Sequence, residues 1–145
     1  MKIIIISFYI FSILVSQTSI DLDFGKDFVD AAITRTQHQV NYDPSYISIP
    51  YPNGDVPNSI GVCTDVIIRS YRLIGTDLQK LVHEDIVKNF NSYPLRSNWS
   101  QNSTDTNIDH RRVPNLQVFF ERNGKVLPIT NEKQDYIAGD IIIWR

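Results

Sequence analysis

Cysteine is nearly absent from this chain: Cys63 is the single one in 145 residues. One cysteine excludes an internal disulfide, so any stability must come from packing and polar contacts. An excess of positive charge is also missing, because 14 basic residues are balanced by 16 acidic ones for a formal charge of -2. That balance lacks the broad positive field that grips phosphates, and nucleic acid is excluded as an expected partner. The length falls short of two ordinary domains, although 42% hydrophobic content suffices for one core. Internal repeats and low-complexity tracts are absent. No apolar run reaches the roughly 20 residues that a membrane-spanning helix needs.

The longest apolar run, Ile3 to Val15, follows Lys2 and is broken only by Ser7 and Ser12 before Ser16, Gln17, Thr18 and Ser19. A basic start, a short hydrophobic stretch and small polar residues describe a secretory leader over 1–19, with residues 20–145 as the exported domain; Ala-x-Ala is absent, so an uncleaved N-terminal anchor is the alternative. The expected location is therefore periplasmic or secreted, with no stable membrane span once the leader is removed. A free thiol outside the cytoplasm meets oxidants, so Cys63 needs a reason to be there. One reason is burial as a small apolar side chain. The other is chemistry: Gly61-Val62-Cys63-Thr64-Asp65 reads as a turn opening into a helix, and free amides at a helix start favour the thiolate form of a cysteine placed there.

The hydrophobic spacing predicts a first helix over Asp23 to Thr36, with Phe24, Phe28, Ala31 and Ala32 on one side. Four prolines and an Asn-Gly pair between Tyr42 and Pro57 then imply turns around short extended pieces. The cysteine helix carries Ile67, Tyr71 and Ile74 on its apolar face, places Arg69 and Arg72 elsewhere, and stops at Gly75. Thr76-Asp77-Leu78-Gln79 has the form of a capping box that starts another helix bearing Leu78, Leu81, Val82, Ile86 and Phe90. His83 and Glu84 lie on it, but Val87 stands where a His-Glu-x-x-His zinc motif needs its second histidine. No spacing implies a metal or an organic cofactor. Residues 91–106 read as a polar loop, Pro114 to Gly124 as a short helix or, through Asn123-Gly124, as the approach to a hairpin turn, and Ile141 to Trp144 as a buried strand entered through Ala138-Gly139-Asp140.

Asp105-Thr106-Asn107-Ile108-Asp109-His110-Arg111-Arg112 is the second chemically dense stretch. In one reading Asp109 or Asp105 orients His110 and the arginines bind a carboxylate or phosphate. In the other the stretch is a structural turn in which His110 caps backbone groups and the arginines pair with the acids.

That octapeptide, together with Tyr42-Asp43-Pro44, Tyr51-Pro52-Asn53-Gly54-Asp55-Val56-Pro57, Gly61-Val62-Cys63-Thr64-Asp65, Asp77-Leu78-Gln79 and His83-Glu84-Asp85, closely resembles a family of exported bacterial proteins known as a domain of unknown function. The family in turn looks like a branch of the papain-like, NlpC-type cysteine hydrolases and amidases of bacterial cell walls. The resemblance implies an α+β, papain-like NlpC-type fold in which N-terminal helices and the cysteine helix pack on a small antiparallel sheet. It implies Cys63 as nucleophile, no cofactor, and a peptidoglycan or peptide substrate held near Tyr42, Asp65, Asp109 and Arg111. Gly139-Asp140-Ile141-Ile142-Ile143-Trp144 resembles the strand before the one that bears the catalytic histidine. The histidine strand itself is expected beyond Arg145, so the sheet is expected to be incomplete. Three readings follow: a shortened hydrolase, an enzyme whose base is His110, or an exported module that binds cell-wall peptides or a protein partner through its tyrosine-rich loop and Arg111-Arg112.

Overall fold

The computed structural model describes residues 24–144, and the expected leader lies outside them. The first helix, α1, covers residues 24–35. Its Phe28 and Ala31 are buried, as the three- and four-residue spacing requires. Phe24 and Phe28 meet Tyr71 at ring-centroid distances of 5.9 and 4.8 Å, which fastens α1 to the helix that carries the cysteine.

That helix, α2 (Cys63–Leu73), follows two short strands, β1 (Asn41–Tyr42) and β2 (Ile60–Gly61). The strands pair in parallel, Asn41 with Ile60 and Tyr42 with Gly61. The Pro-rich segment between them is a chain of turns that brings the two ends side by side. Asn53 takes a left-handed conformation, φ 63°. Gly54 is buried, and a Cβ there would lie 1.9 Å from the Pro50 carbonyl oxygen. No larger residue fits that turn.

Gly75 adopts φ +85° and ends α2, because a left-handed residue at a helix terminus is cheapest without a Cβ. The next helix, α3 (Leu78–Asn89), is capped by Asp77, whose carboxylate accepts the Gln79 N–H at 3.0 Å. The expected capping box from Thr76 is thus displaced by one residue. Gln79 is buried and ties loops together instead: its amide receives Gly54 N–H and donates to the carbonyls of Pro50 and Thr106.

Residues 91–106 are not simply a loop. A 3-10 turn at Phe90–Ser92 leads into α4 (Leu95–Trp99), which drives Tyr93 and Leu95 into the core. A further 3-10 turn, Asp109–Arg111, precedes α5 (Val113–Asn123), with Pro114 in its first turn. Ile68, Leu78, Val82, Ile86, Tyr93, Leu95, Leu116 and Phe119 form the core where α2, α3, α4 and α5 converge. Each such side chain contributes roughly 1.5–3 kcal/mol by leaving water.

The α+β class holds in the coarse sense of helices with a small sheet. The expected antiparallel sheet does not: the sheet among the described residues is parallel and two residues deep. Ile141 to Trp144 forms no strand with any of the described residues, since a β-branched run becomes a strand only when a neighbour takes its backbone hydrogen bonds. The segment instead passes α1 at Gly25, where a Cβ would stand 2.5 Å from the Ala138 carbonyl oxygen. It turns at Gly139, φ +100°, and runs on toward α2.

Candidate active site

Cys63 is the first residue of α2 and its side chain is exposed. It opens onto a cleft of about 440 Å3 whose walls are α2 (Thr64, Val66, Ile67), α5 (Leu116, Phe120) and the segment 141–144. The thiol and the Thr64 hydroxyl are the polar side-chain groups in that lining, apart from the indole N–H of Trp144. Thr64 Oγ1 is engaged, donating to the Arg111 carbonyl at 2.8 Å. The cleft therefore presents the exposed sulfur among apolar surfaces, an arrangement that can take up an apolar group.

Beneath the thiol the first turn of α2 is fixed by charge. Asp65 accepts the Val62 N–H at 2.7 Å. It also receives both prongs of Arg111, from Nε and Nη2 at 2.9 Å each. Both members of this ion pair are 3% exposed. Two parallel N–H···O bonds fix the angle between α2 and the 109–111 turn as well as their distance. Farther along α2, Arg69 donates to Asp55 at 2.9 Å and to the carbonyls of Val56, Pro57 and Ile60. Arg72 joins the same carboxylate at 2.8 Å. These bonds close the loop that delivers the chain to Cys63.

His110 is 2% exposed. Burial drives its pKa down to about 4, with Asp65 pulling the other way, so the ring is neutral at ordinary pH. It is not among the residues lining the cysteine cleft. Asp109 does not turn to it. The Asp109 carboxylate accepts Gln101 Nε2 at 2.9 Å and the Asp105 N–H at 2.6 Å, and lies 3.6 Å from Arg112. Burial raises the pKa of Asp109 despite those partners. Arg112 lies over the Trp99 ring at 4.0 Å and bonds to Gln101. Asp105 is taken by the Tyr46 hydroxyl at 3.0 Å. The two arginines thus pair with acids.

Of the residues singled out from the sequence, Cys63 and Tyr42 are exposed, Tyr42 at 75%. Asp65, Asp109, His110 and Arg111 are buried, where they hold elements together and do not face the cleft. His83 packs edge-on against Tyr51 at 5.1 Å. Sequence reasoning missed the role of Asp55, Arg69 and Arg72. The available signal was the i, i+3 spacing of two arginines, which puts both within reach of one acid. It also missed residues 141–144 as a cleft wall. Among the described residues, no three His, Cys, Asp or Glu side chains are grouped to hold a metal ion. No helix among them is long and apolar enough to cross a membrane.

Residues 29–145 match the model of a family described as a domain of unknown function, DUF1287. The uncharacterized protein YijF of Escherichia coli (strain K12) is 54% identical over 104 residues, which covers 72% of this chain and 50% of that protein. The chain spans about half the length of this curated relative. No solved structure matches it.

Proposed function

The chain belongs to the DUF1287 family, and from that premise we propose that it is the cysteine-bearing part of an exported hydrolase that cleaves peptide or amide bonds of the cell wall. The observation that carries this reading is the place of Cys63: a solitary thiol, exposed at the first residue of a helix and opening onto an apolar cleft. A packing cysteine needs neither the helix start nor the cleft. The likeness to NlpC-type enzymes and the leader-like N-terminus supply the substrate class and the location, by analogy of motif.

In this mechanism the thiolate of Cys63 attacks the amide carbonyl carbon, and amides of the first turn of α2 receive the oxyanion. The C–N bond breaks as the leaving amine takes a proton from the acid partner, which leaves a thioester on Cys63. Water then adds, losing a proton to the same group, and the carboxylic acid departs as the thiol is restored. Two sources of that acid–base group stand: His110, or a histidine on chain following Gly139–Trp144, as in the enzymes this segment resembles. The burial of His110 and its absence from the cleft lining favour the second.

The absence of an imidazole from that lining also supports the second reading, a non-catalytic module that binds cell-wall peptides. Iodoacetamide labelling near neutral pH separates the two, since a catalytic thiol reacts fast and a merely exposed one at the rate of free cysteine. Muropeptide release by this chain and by the full-length E. coli relative then tests the chemistry. Cys63→Ala, and its counterpart in the relative, should lower release by roughly a thousandfold or more. Release that survives in both eliminates the cysteine mechanism. An unchanged labelling rate in His110→Gln removes His110 as the base.

A further inference from the structure

The walls of the cysteine cleft differ in how firmly they are held. One side is Leu116, a core residue, with Ile67 and Phe120 packed against that core. Phe120 is fixed further by two rings, Tyr71 at 5.9 Å and Phe119 at 5.5 Å. The other side is residues 141–144, where Ile142 is 50% and Trp144 81% exposed. A firm apolar floor beside a wetter rim lets a ligand enter from solvent and shed its water against the floor. No residue lining the cleft among those described carries a charge, and the Thr64 hydroxyl has its proton committed to the Arg111 carbonyl. A charged or amide-rich group entering there would give up water without a matching partner, which is costly. An aliphatic group would instead gain with each methylene covered.

We propose that the cleft holds the aliphatic chain of an acyl group whose carbonyl carbon meets the Cys63 sulfur, so that the chain selects uncharged acyl groups longer than acetyl. The proposal rests on the hydrolase reading for the role of the sulfur, and narrows its substrates to bonds whose acyl side is apolar. A cavity of about 150 Å3 takes up a benzene-sized molecule. The cleft, at about 440 Å3, has room for a chain of medium length. With an activated ester the step needs no further reactant. Cys63 loses its proton to solvent, the sulfur attacks the carbonyl carbon, and the C–O bond breaks as the phenolate leaves with the electron pair. A thioester on Cys63 remains.

The test mixes the 145-residue chain with the nitrophenyl esters of acetic, butanoic or octanoic acid and reads the nitrophenolate burst, which Cys63→Ala should lack. The thioester is confirmed by the mass added to the protein. Each rate is divided by that of N-acetylcysteine with the same ester, which removes intrinsic reactivity. The octanoate ratio should exceed the acetate ratio roughly tenfold or more, and the nitrophenyl monoester of octanedioic acid, with its terminal carboxylate, should lose that gain. Ile142→Asp, at a half-exposed position on the rim, should cut the preference for octanoate over acetate roughly tenfold. A flat chain-length profile, equal rates for octanoate and its carboxylate counterpart, or an undiminished preference in Ile142→Asp would overturn the proposal. A preference that fades as protein concentration rises would show a second copy filling the cleft, and would overturn it too. If Ile142→Asp does not fold, the ester series on the parent chain decides alone. Turnover beyond the burst belongs to the hydrolase reading. Selective acylation without turnover would refute that reading for this chain and leave this one standing, and turnover with no chain-length preference would do the reverse.

Discussion

At the scale of single residues, the most consequential feature is the buried polar layer under α2. Arg111 and Asp65 neutralise one another out of water, so removing one partner leaves an uncompensated charge. Asp65→Ala is expected to destabilise the chain by about 3–5 kcal/mol, read as a lower midpoint in urea denaturation. His110 gives a separate pH signature. Its pKa falls from the ordinary 6.5 to about 4 on folding, so between those values the unfolded chain binds more protons than the folded one. Stability contributed by the neutral ring is therefore complete above pH 6.5 and drains away as pH falls toward 4, by roughly 3 kcal/mol in all. His110→Gln cannot protonate and should show a flatter stability profile over that interval. Asp109, shifted upward, works in the opposite direction, but it is common to both proteins and drops out of their difference. Identical profiles would mean that the ring is not buried in solution. None of these roles could be read from residue type alone, because an arginine that binds substrate and one that braces a helix look alike until their partners are known.

At the scale of elements, the helices and their stops follow local chemistry closely. Gly75 ends α2, Pro114 sits in the first turn of α5, and of the expected apolar face of α1 Phe28 and Ala31 are buried while Phe24 stays 42% exposed. Where the expectation slipped, a nearby side chain offered a better bond. Asp77 in place of Thr76 caps α3, and Gln79 is drawn into three loop contacts instead of the reciprocal half of a box. The wall formed by residues 141–144 depends on the crossing of Ala138–Gly139 over Gly25. Gly139 holds φ +100°, and its added Cβ would stand 3.0 Å from the Gly25 Cα. Gly139→Val should lift this segment off α1, widening the cleft while leaving α2 and α3 intact. Faster amide exchange and altered Trp144 fluorescence, with unchanged far-ultraviolet dichroism, would register that outcome. Unchanged exchange and fluorescence would show that the crossing does not hold the wall.

For the whole molecule, the imbalance lies between a well-packed helical half and a C-terminal segment of turns and irregular chain rich in exposed apolar side chains. Ile129 is 97% exposed, Trp144 81%, and Val126 and Ile137 68% each. A cluster of exposed apolar side chains on irregular backbone associates readily with another chain. The protein is expected to self-associate at high concentration. Light scattering should detect this, and Trp144→Ser with Ile129→Ser should reduce it. Equal scattering from parent and variant would place the association elsewhere. What the amino-acid order determined by itself was everything set by neighbours along the chain: the helix periods, the glycine and proline stops, and a lone cysteine at a helix start. What only the tertiary structure decided was which charges meet. Asp65 and Arg111 lie 46 residues apart, so neither could name the other in advance, and four of the six candidate site residues proved to be buried. The strandless path of Ile141–Trp144 was decided the same way, because a sheet is a contract between distant segments and a sequence shows only one signatory at a time.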